Sequence, residues 1–155
     1  MVASECAPVA KVGGLGDVVF GLARELEIRG NAVEIILPKY DWMRYDHIWG
    51  LQASYQDLWV PWFNSYIHCT VYFGFVHGRK CFFIEPHSGD NFFNRGAYYG
   101  FPDEHMRFAF FSKAALEFMD HAGVEVVAHA FLAVVVLGAP EPREPQHSTF
   151  SPAIP

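Results

Sequence analysis

Apolar residues at Leu15, Val18, Val19, Leu22 and Leu26 recur at the spacing of one helical face. They predict a helix over about Leu15 to Arg29. Gly30-Asn31 is a suitable stop, and Arg29 sits at the negative end of the helix dipole. A short apolar stub, Val2-Ala3-Ser4, precedes the helix and reads as the end of a strand. Ala32–Leu37 follows it as a buried strand halted by Pro38. Strand, helix and strand at this length form the βαβ crossover of a parallel sheet, so the chain reads as α/β. Lys39 to Gly50 reads as a polar and aromatic surface loop. Ala53 to Phe75 is rich in aromatic and β-branched residues, and Ile67 to Phe75 partly alternates. The turn candidate Val76-His77-Gly78-Arg79 leads to a strand at Lys80–Ile84. This pair predicts a β-hairpin inserted in the α/β domain. Pro86 to Phe101 is a long loop, which in a compact domain points to function or disorder. A helix over about Asp103 to Asp120 follows, with Pro102 suited to its first turn. It is apolar on several faces (Met106, Phe108, Phe110, Phe111, Ala114, Ala115, Phe118) and is expected between layers.

Composition sharpens this picture in three ways. With 155 residues, 52% hydrophobic and 17% aromatic, the chain is long and apolar enough to build one folded domain. A net charge of −6 leaves no basic footprint for nucleic acid. The three cysteines, Cys6, Cys69 and Cys81, show no C-x-x-C spacing, which fits a reducing, cytoplasmic setting without disulfide framework or zinc site. The histidines likewise show no metal-ligand spacing, so no metal is expected. No basic and apolar leader opens the chain. The apolar run Ala130–Leu137 is too short for a bilayer, which needs about 20 residues.

The candidate chemistry lies in Lys11-Val12-Gly13-Gly14-Leu15-Gly16-Asp17, between the stub and the first helix. A glycine-rich turn opening a helix presents backbone N–H groups to an anion, and Lys11 adds a mobile cation at its mouth. The glycine spacing matches neither the dinucleotide fingerprint nor a P-loop. From the residues alone, a phosphate site and a plain tight turn both stand.

The run from Ala3 to Val18 (Ala-Ser-Glu-Cys-Ala-Pro-Val-Ala-Lys-Val-Gly-Gly-Leu-Gly-Asp-Val) resembles the opening of bacterial glycogen synthases and plant starch synthases. The likeness continues through Glu34–Asp41, Cys81–Pro86, Asn91–Arg95, Tyr99-Gly100 and Asp103–Phe118. The resemblance implies the Rossmann-like N-terminal half of a GT-B glycosyltransferase, truncated, covering residues 1–120. The implied reaction moves glucose from ADP-glucose to the non-reducing end of an α-1,4-glucan, with retention and without a cofactor. Carried across by motif, Lys11, Gly13 and Gly14 would bind the donor, while Asp17 and Tyr99 would lie on the catalytic, sugar-facing side. Asp17 has a second reading, as a carboxylate in the helix's first turn. From the residues, the long loop reads either as a surface loop packed by Phe92 and Phe93 or as a substrate lip where Arg95 and Tyr99 meet sugar or phosphate. The implied partners are a nucleotide sugar, the glucan and a C-terminal GT-B domain. The implied location is the cytoplasm, or the plastid stroma in a plant.

After Met119 the family pattern calls for a His-x-His-Asp-Trp block, and this chain offers only Gly123 to Phe131, with His129 and Phe131 as faint echoes. Residues 121–137 therefore read as a divergent, strand-like segment. Five of the ten prolines fall in 138–155, which reads as a disordered tail. A truncated or frame-shifted product is one account of the break, and little activity of the chain alone is expected. The alternative function is a non-catalytic glucan-binding module using exposed aromatics such as Trp42, Trp49, Trp59 and Trp62.

Overall fold

A computed structural model describes residues 1–123. Helix α1 spans Gly14–Ile28, and the strands are β1 (Ile35–Pro38), β2 (Trp49–Trp62), β3 (Ser65–Val76) and β4 (Arg79–Pro86). Helix α2 runs over Glu104–His121. The strands form one mixed sheet in the order β1-β4-β3-β2. β1 and β4 pair parallel, whereas β4–β3 and β3–β2 pair antiparallel.

The opening strand survives as a single parallel bridge, Val2 to Ile36, fixed by Ala3 N–H to Ile36 O (3.1 Å) and Ile36 N–H to Met1 O (2.7 Å). Together with α1 and β1 it completes the expected crossover. The expected hairpin is β3–β4, turning at His77 and Gly78 with φ of 48° and 79°, left-handed values that suit a two-residue turn. Its second arm, β4, also serves the parallel part of the sheet. The surface loop after β1 is shorter than the sequence indicates, because Tyr45–His47 is a 3-10 turn and β2 already begins at Trp49.

Side chains alternate across β4. Arg79 faces α1, while Phe82 meets Phe118 of α2 with ring centroids 5.0 Å apart. The helices thus cover opposite faces of the sheet, and Cys81 to Ile84 are all buried. Phe110 of α2 packs edge-on against Trp62 at 5.3 Å, so Trp62 is partly buried against the core. Trp42, Trp49 and Trp59 are exposed. Burial pushes the thiols of Cys69 and Cys81 up to about 12, so both are unreactive structural groups.

One expectation is corrected on α1. Gly16, Val19 and Ala23 form its buried stripe, while Val18 and Leu22 of the expected face are exposed. The apolar stripe is wider than what covers it among the described residues. At α2 the outcome is closer, since the helix ends at His121, one residue past the expected end. The remainder of the strand-like segment and the proline-rich tail lie outside the described residues.

Helix α1 is fastened to the sheet by Glu27, whose carboxylate accepts two hydrogen bonds from Arg79 at 2.7 and 2.6 Å. The Arg79 side chain is only 5% exposed and that of Glu27 35%. The hydrogen bonds from Arg79 hold the Glu27 carboxyl below its ordinary range. Glu27→Gln is expected to destabilise the chain by about 2 kcal/mol, less than the roughly 3–5 kcal/mol of a fully buried pair because Glu27 is partly solvated. A depressed carboxyl stabilises above the unfolded value of about 4.3 and loses that contribution as pH falls through the folded value. Thermal melts should therefore show a gap between the two proteins at neutral pH that closes in acid. A gap unchanged in strong acid would place the effect in packing instead.

Candidate functional site

The glycine-rich stretch lies at the carboxyl end of the opening strand, where α/β sheets place ligands. Cys6 and Ala10 exchange backbone hydrogen bonds of 2.8 and 2.9 Å, folding residues 6–10 into a tight loop. Ala7 N–H reaches Gly16 O at 3.0 Å and ties that loop to the start of α1. Gly16 suits this approach: an added Cβ would come within 3.2 Å of the Ala7 nitrogen and 3.3 Å of the Lys11 side chain, so the loop would have to give slightly.

Glu5 sits beneath the glycines with 4% of its surface exposed. One carboxylate oxygen accepts the N–H groups of Val12 (2.8 Å) and Gly13 (3.2 Å). The other accepts the Tyr99 hydroxyl at 2.6 Å. Tyr99 also lies 3.1 Å from Ser4 Oγ, and Ser4 O accepts the Tyr40 hydroxyl at 3.0 Å. Burial first, then the bond to Glu5, raises the Tyr99 hydroxyl well above its ordinary value, so it remains a donor.

These contacts divide the sequence candidates. The Gly13 N–H is already committed to Glu5. The N–H groups of Gly14, Leu15 and Gly16, at the uncapped start of α1, meet no protein acceptor among the described residues. A Cβ at Gly13 or Gly14 would meet nothing within 4 Å, so the space over the loop is open. Lys11 and Asp17 pair at 2.8 Å with 45% and 58% of their side chains exposed, a contact worth about 0–1 kcal/mol and readily exchanged. Lys11, the glycines and Asp17 therefore share one mouth, with Tyr99 behind it through Glu5.

Arg95 is not available as a ligand. Its guanidinium donates to both oxygens of Asp103 at 2.6 and 2.8 Å, and to the carbonyls of Asn91 (2.9 Å) and Asp90 (2.6 Å). It braces the loop instead. Sequence reasoning passed over Glu5 itself. The available signal was an acid placed inside an apolar stub directly ahead of a glycine-rich turn.

The family profile described as starch synthase catalytic domain matches residues 1–138. Glycogen synthase 1 of Trichormus variabilis is 78% identical over 118 residues, which are 76% of this chain and 24% of that protein. Glycogen synthase 2 of Methylococcus capsulatus is 77% identical over 122 residues, 79% of this chain and 25% of that protein. The catalytic domain of starch synthase IV from Arabidopsis thaliana, solved bound to ADP and acarbose, superposes with a TM-score of 0.78 at 45% identity. That match covers 80% of this chain and 25% of the other. The chain thus spans about a quarter of the length of the curated relatives it matches. Its mixed sheet is the Rossmann-like N-terminal part of the GT-B arrangement. On this match the chain belongs to the starch synthase catalytic domain family, a family of glycosyltransferases.

Proposed function

We propose that the chain supplies the donor-facing loop for transfer of glucose from ADP-glucose to the non-reducing end of an α-1,4-glucan, with retention. The observation that carries this reading is the uncapped start of α1, with open space over Gly13 and Gly14 and Lys11 at its rim. As the bond between glucose C1 and the β-phosphate oxygen breaks, negative charge grows on the departing ADP. Lys11 leaves Asp17 to meet that charge, and the N–H groups of Gly14, Leu15 and Gly16 donate to it. Asp17, released from Lys11, faces the sugar, while Tyr99 supports the loop from behind through Glu5. The bond then forms from a 4-hydroxyl oxygen of the acceptor to C1, and the hydroxyl proton passes to the departing β-phosphate oxygen of ADP.

The reading has a C-terminal GT-B domain as partner, which closes the cleft over both substrates. Without it, lost positioning and charge stabilisation remove on the order of 10 kcal/mol of barrier lowering, so the chain alone transfers little or no glucose. No resident cofactor or metal takes part. Among the described residues no helix is long and apolar enough to cross a membrane. The reading places the chain in the cytoplasm, or in the plastid stroma of a plant.

Calorimetric titration with ADP-glucose tests it. Saturable binding is expected, weakened about tenfold by Lys11→Ala, equivalent to about 1.4 kcal/mol. A folded chain that ignores ADP-glucose, or a Lys11→Ala variant that binds it equally well, would sink the reading.

A further inference from the structure

The opening strand pairs with β1 on one side only, through Met1 O and Ala3 N–H. In a parallel ladder, alternate residues bond to opposite sides, so Val2 and Ser4 point their N–H groups the other way. There the Val2 N–H, the Val2 carbonyl and the Ser4 N–H meet no partner among the described residues. Ala3, Ser4 and Glu5 are nevertheless buried. Such an unpaired edge is a template for one more strand.

An uncovered flank of α1 lies beside this edge. Phe20 and Glu27 both reach Arg79 of β4, the ring at 5.2 Å and the carboxylate through its paired hydrogen bonds. With about 3.6 residues per turn, Leu15, Val18, Leu22 and Leu26 fall on the opposite flank, away from β4 and over the unpaired edge. Val18 is 54% and Leu22 37% exposed, and Leu15 and Leu26 are half-buried.

Chain topology selects what fits there. Helix α1 carries the chain from the opening strand to β1 on one face of the sheet, and α2 leaves β4 on the other. Strand–helix–strand crossovers are right-handed, so a helix on the opposite face moves the chain in the opposite direction across the sheet. From β4 that path passes β1 and the opening strand and arrives at the unpaired edge, with the incoming strand parallel. Helix α2 ends between β4 and β2, with Phe118 on Phe82 and His121 stacked on Tyr55 at 5.9 Å. The edge position is four strand spacings from there, roughly 19 Å. An extended chain covers that distance in about six residues. Counted from Gly123, such a span brings the chain to His129-Ala130. Phe131-Leu-Ala-Val-Val-Val-Leu137 comes next, an apolar run closed by Gly138 and Pro140. A continuous apolar run of this length suits a parallel strand covered on both faces.

We propose that the unpaired edge of the opening strand and the Leu15–Val18–Leu22–Leu26 flank of α1 form the docking surface for residues 131–137 of this same chain, bound as a strand parallel to Val2–Ser4. The opening strand leads directly into Glu5, so the docked segment steadies the strand from which the glycine loop is braced. The proposal stands apart from any use of ADP-glucose.

Photo-cross-linking of the full 155-residue chain tests it, with a benzophenone side chain in place of the exposed Leu22 and the products mapped by mass spectrometry. Cross-links are expected within residues 131–137 of the same molecule. Val135→Asp is expected to abolish them and to lower Tm by about 5 °C, because it buries an unpaired carboxylate. Cross-links that join two molecules and rise with protein concentration would give the surface to a second copy and overturn the proposal. Cross-links confined to other parts of the chain, or a Val135→Asp variant that melts with the wild type, would overturn it as well.

Discussion

Arg107→Ala is expected to destabilise the chain by about 4 kcal/mol and to release the loop between β4 and α2. Arg107 is fully buried, an unusual position for a cation with no ion-pair partner among the described residues. It donates from Nε to Phe92 O at 2.5 Å and from Nη1 to Tyr98 O at 3.1 Å. Its guanidinium lies over the rings of Phe101 (4.8 Å), Phe108 (5.4 Å) and Phe93 (5.5 Å). Burial pulls its pKa below the ordinary value, the mark of a charge held away from water. Two opposing effects decide the sign. Removing a desolvated cation recovers part of its burial penalty, and Nη2 has no hydrogen-bond partner among the described residues to lose. Against this, truncation orphans the buried Phe92 carbonyl and the partly buried Tyr98 carbonyl, at about 1–3 kcal/mol for the first and less for the second, and leaves a void among three phenylalanines worth about 2 kcal/mol more. The losses win. Arg107→Lys is expected to cost about 2 kcal/mol, since a point charge neither reaches both carbonyls nor stacks flat between rings. Urea unfolding measures both values, and hydrogen exchange over residues 91–101 reports the loop. A change under about 1 kcal/mol for Arg107→Ala would mean that desolvation relief cancels the lost contacts.

Much of the frame was legible because it follows local rules. The His77-Gly78 turn, the glycine loop and α2 lie where turn chemistry, helix starts and apolar spacing place them. The long reach of β2 was not legible. From Trp49 to Asp57 its residues are mostly exposed, and Gln52-Ala53-Ser54 carries no alternation. Pairing with β3 makes this stretch a strand, which is a tertiary effect. The site divides in the same way. Lys11 and Asp17 are close in sequence and meet in space. Tyr99 and Glu5 are 94 residues apart, and nothing in either neighbourhood announces the other. Arg107 bonds to backbone carbonyls, and every residue carries a carbonyl, so sequence gives no sign of such a partner. Arg95 was open to a ligand role because its partner, Asp103, stood in the sequence as part of a helix start.

Glu5 carries the second large effect, and two substitutions separate its roles. Glu5→Ala leaves the Val12 and Gly13 N–H groups and the Tyr99 hydroxyl without their acceptor. Val12 and Gly13 are exposed and water replaces part of the loss, so the expected cost is about 2 kcal/mol. The loop shape suffers more than the stability. With two N–H groups no longer held inward, Gly14 to Gly16 lose their fixed presentation, and ADP-glucose binding is expected to fall about tenfold. Glu5→Gln behaves differently. Its amide oxygen still accepts both N–H groups, its NH₂ donates to the Tyr99 oxygen, and the Tyr99 hydroxyl turns to Ser4 Oγ, 3.1 Å away. That variant also removes a negative charge beside the helix start where the donor's phosphates would sit, a repulsion of about 0.3–1 kcal/mol. Its binding of ADP-glucose is therefore expected to equal the wild type or to tighten by up to about fivefold, with stability within about 1 kcal/mol. The order Gln, wild type, Ala in affinity identifies the carboxylate as a brace that holds the loop at some electrostatic expense. Equal loss in Gln and Ala would show that the charge itself is required, and no loss in either would make Glu5 a bystander to the loop it touches.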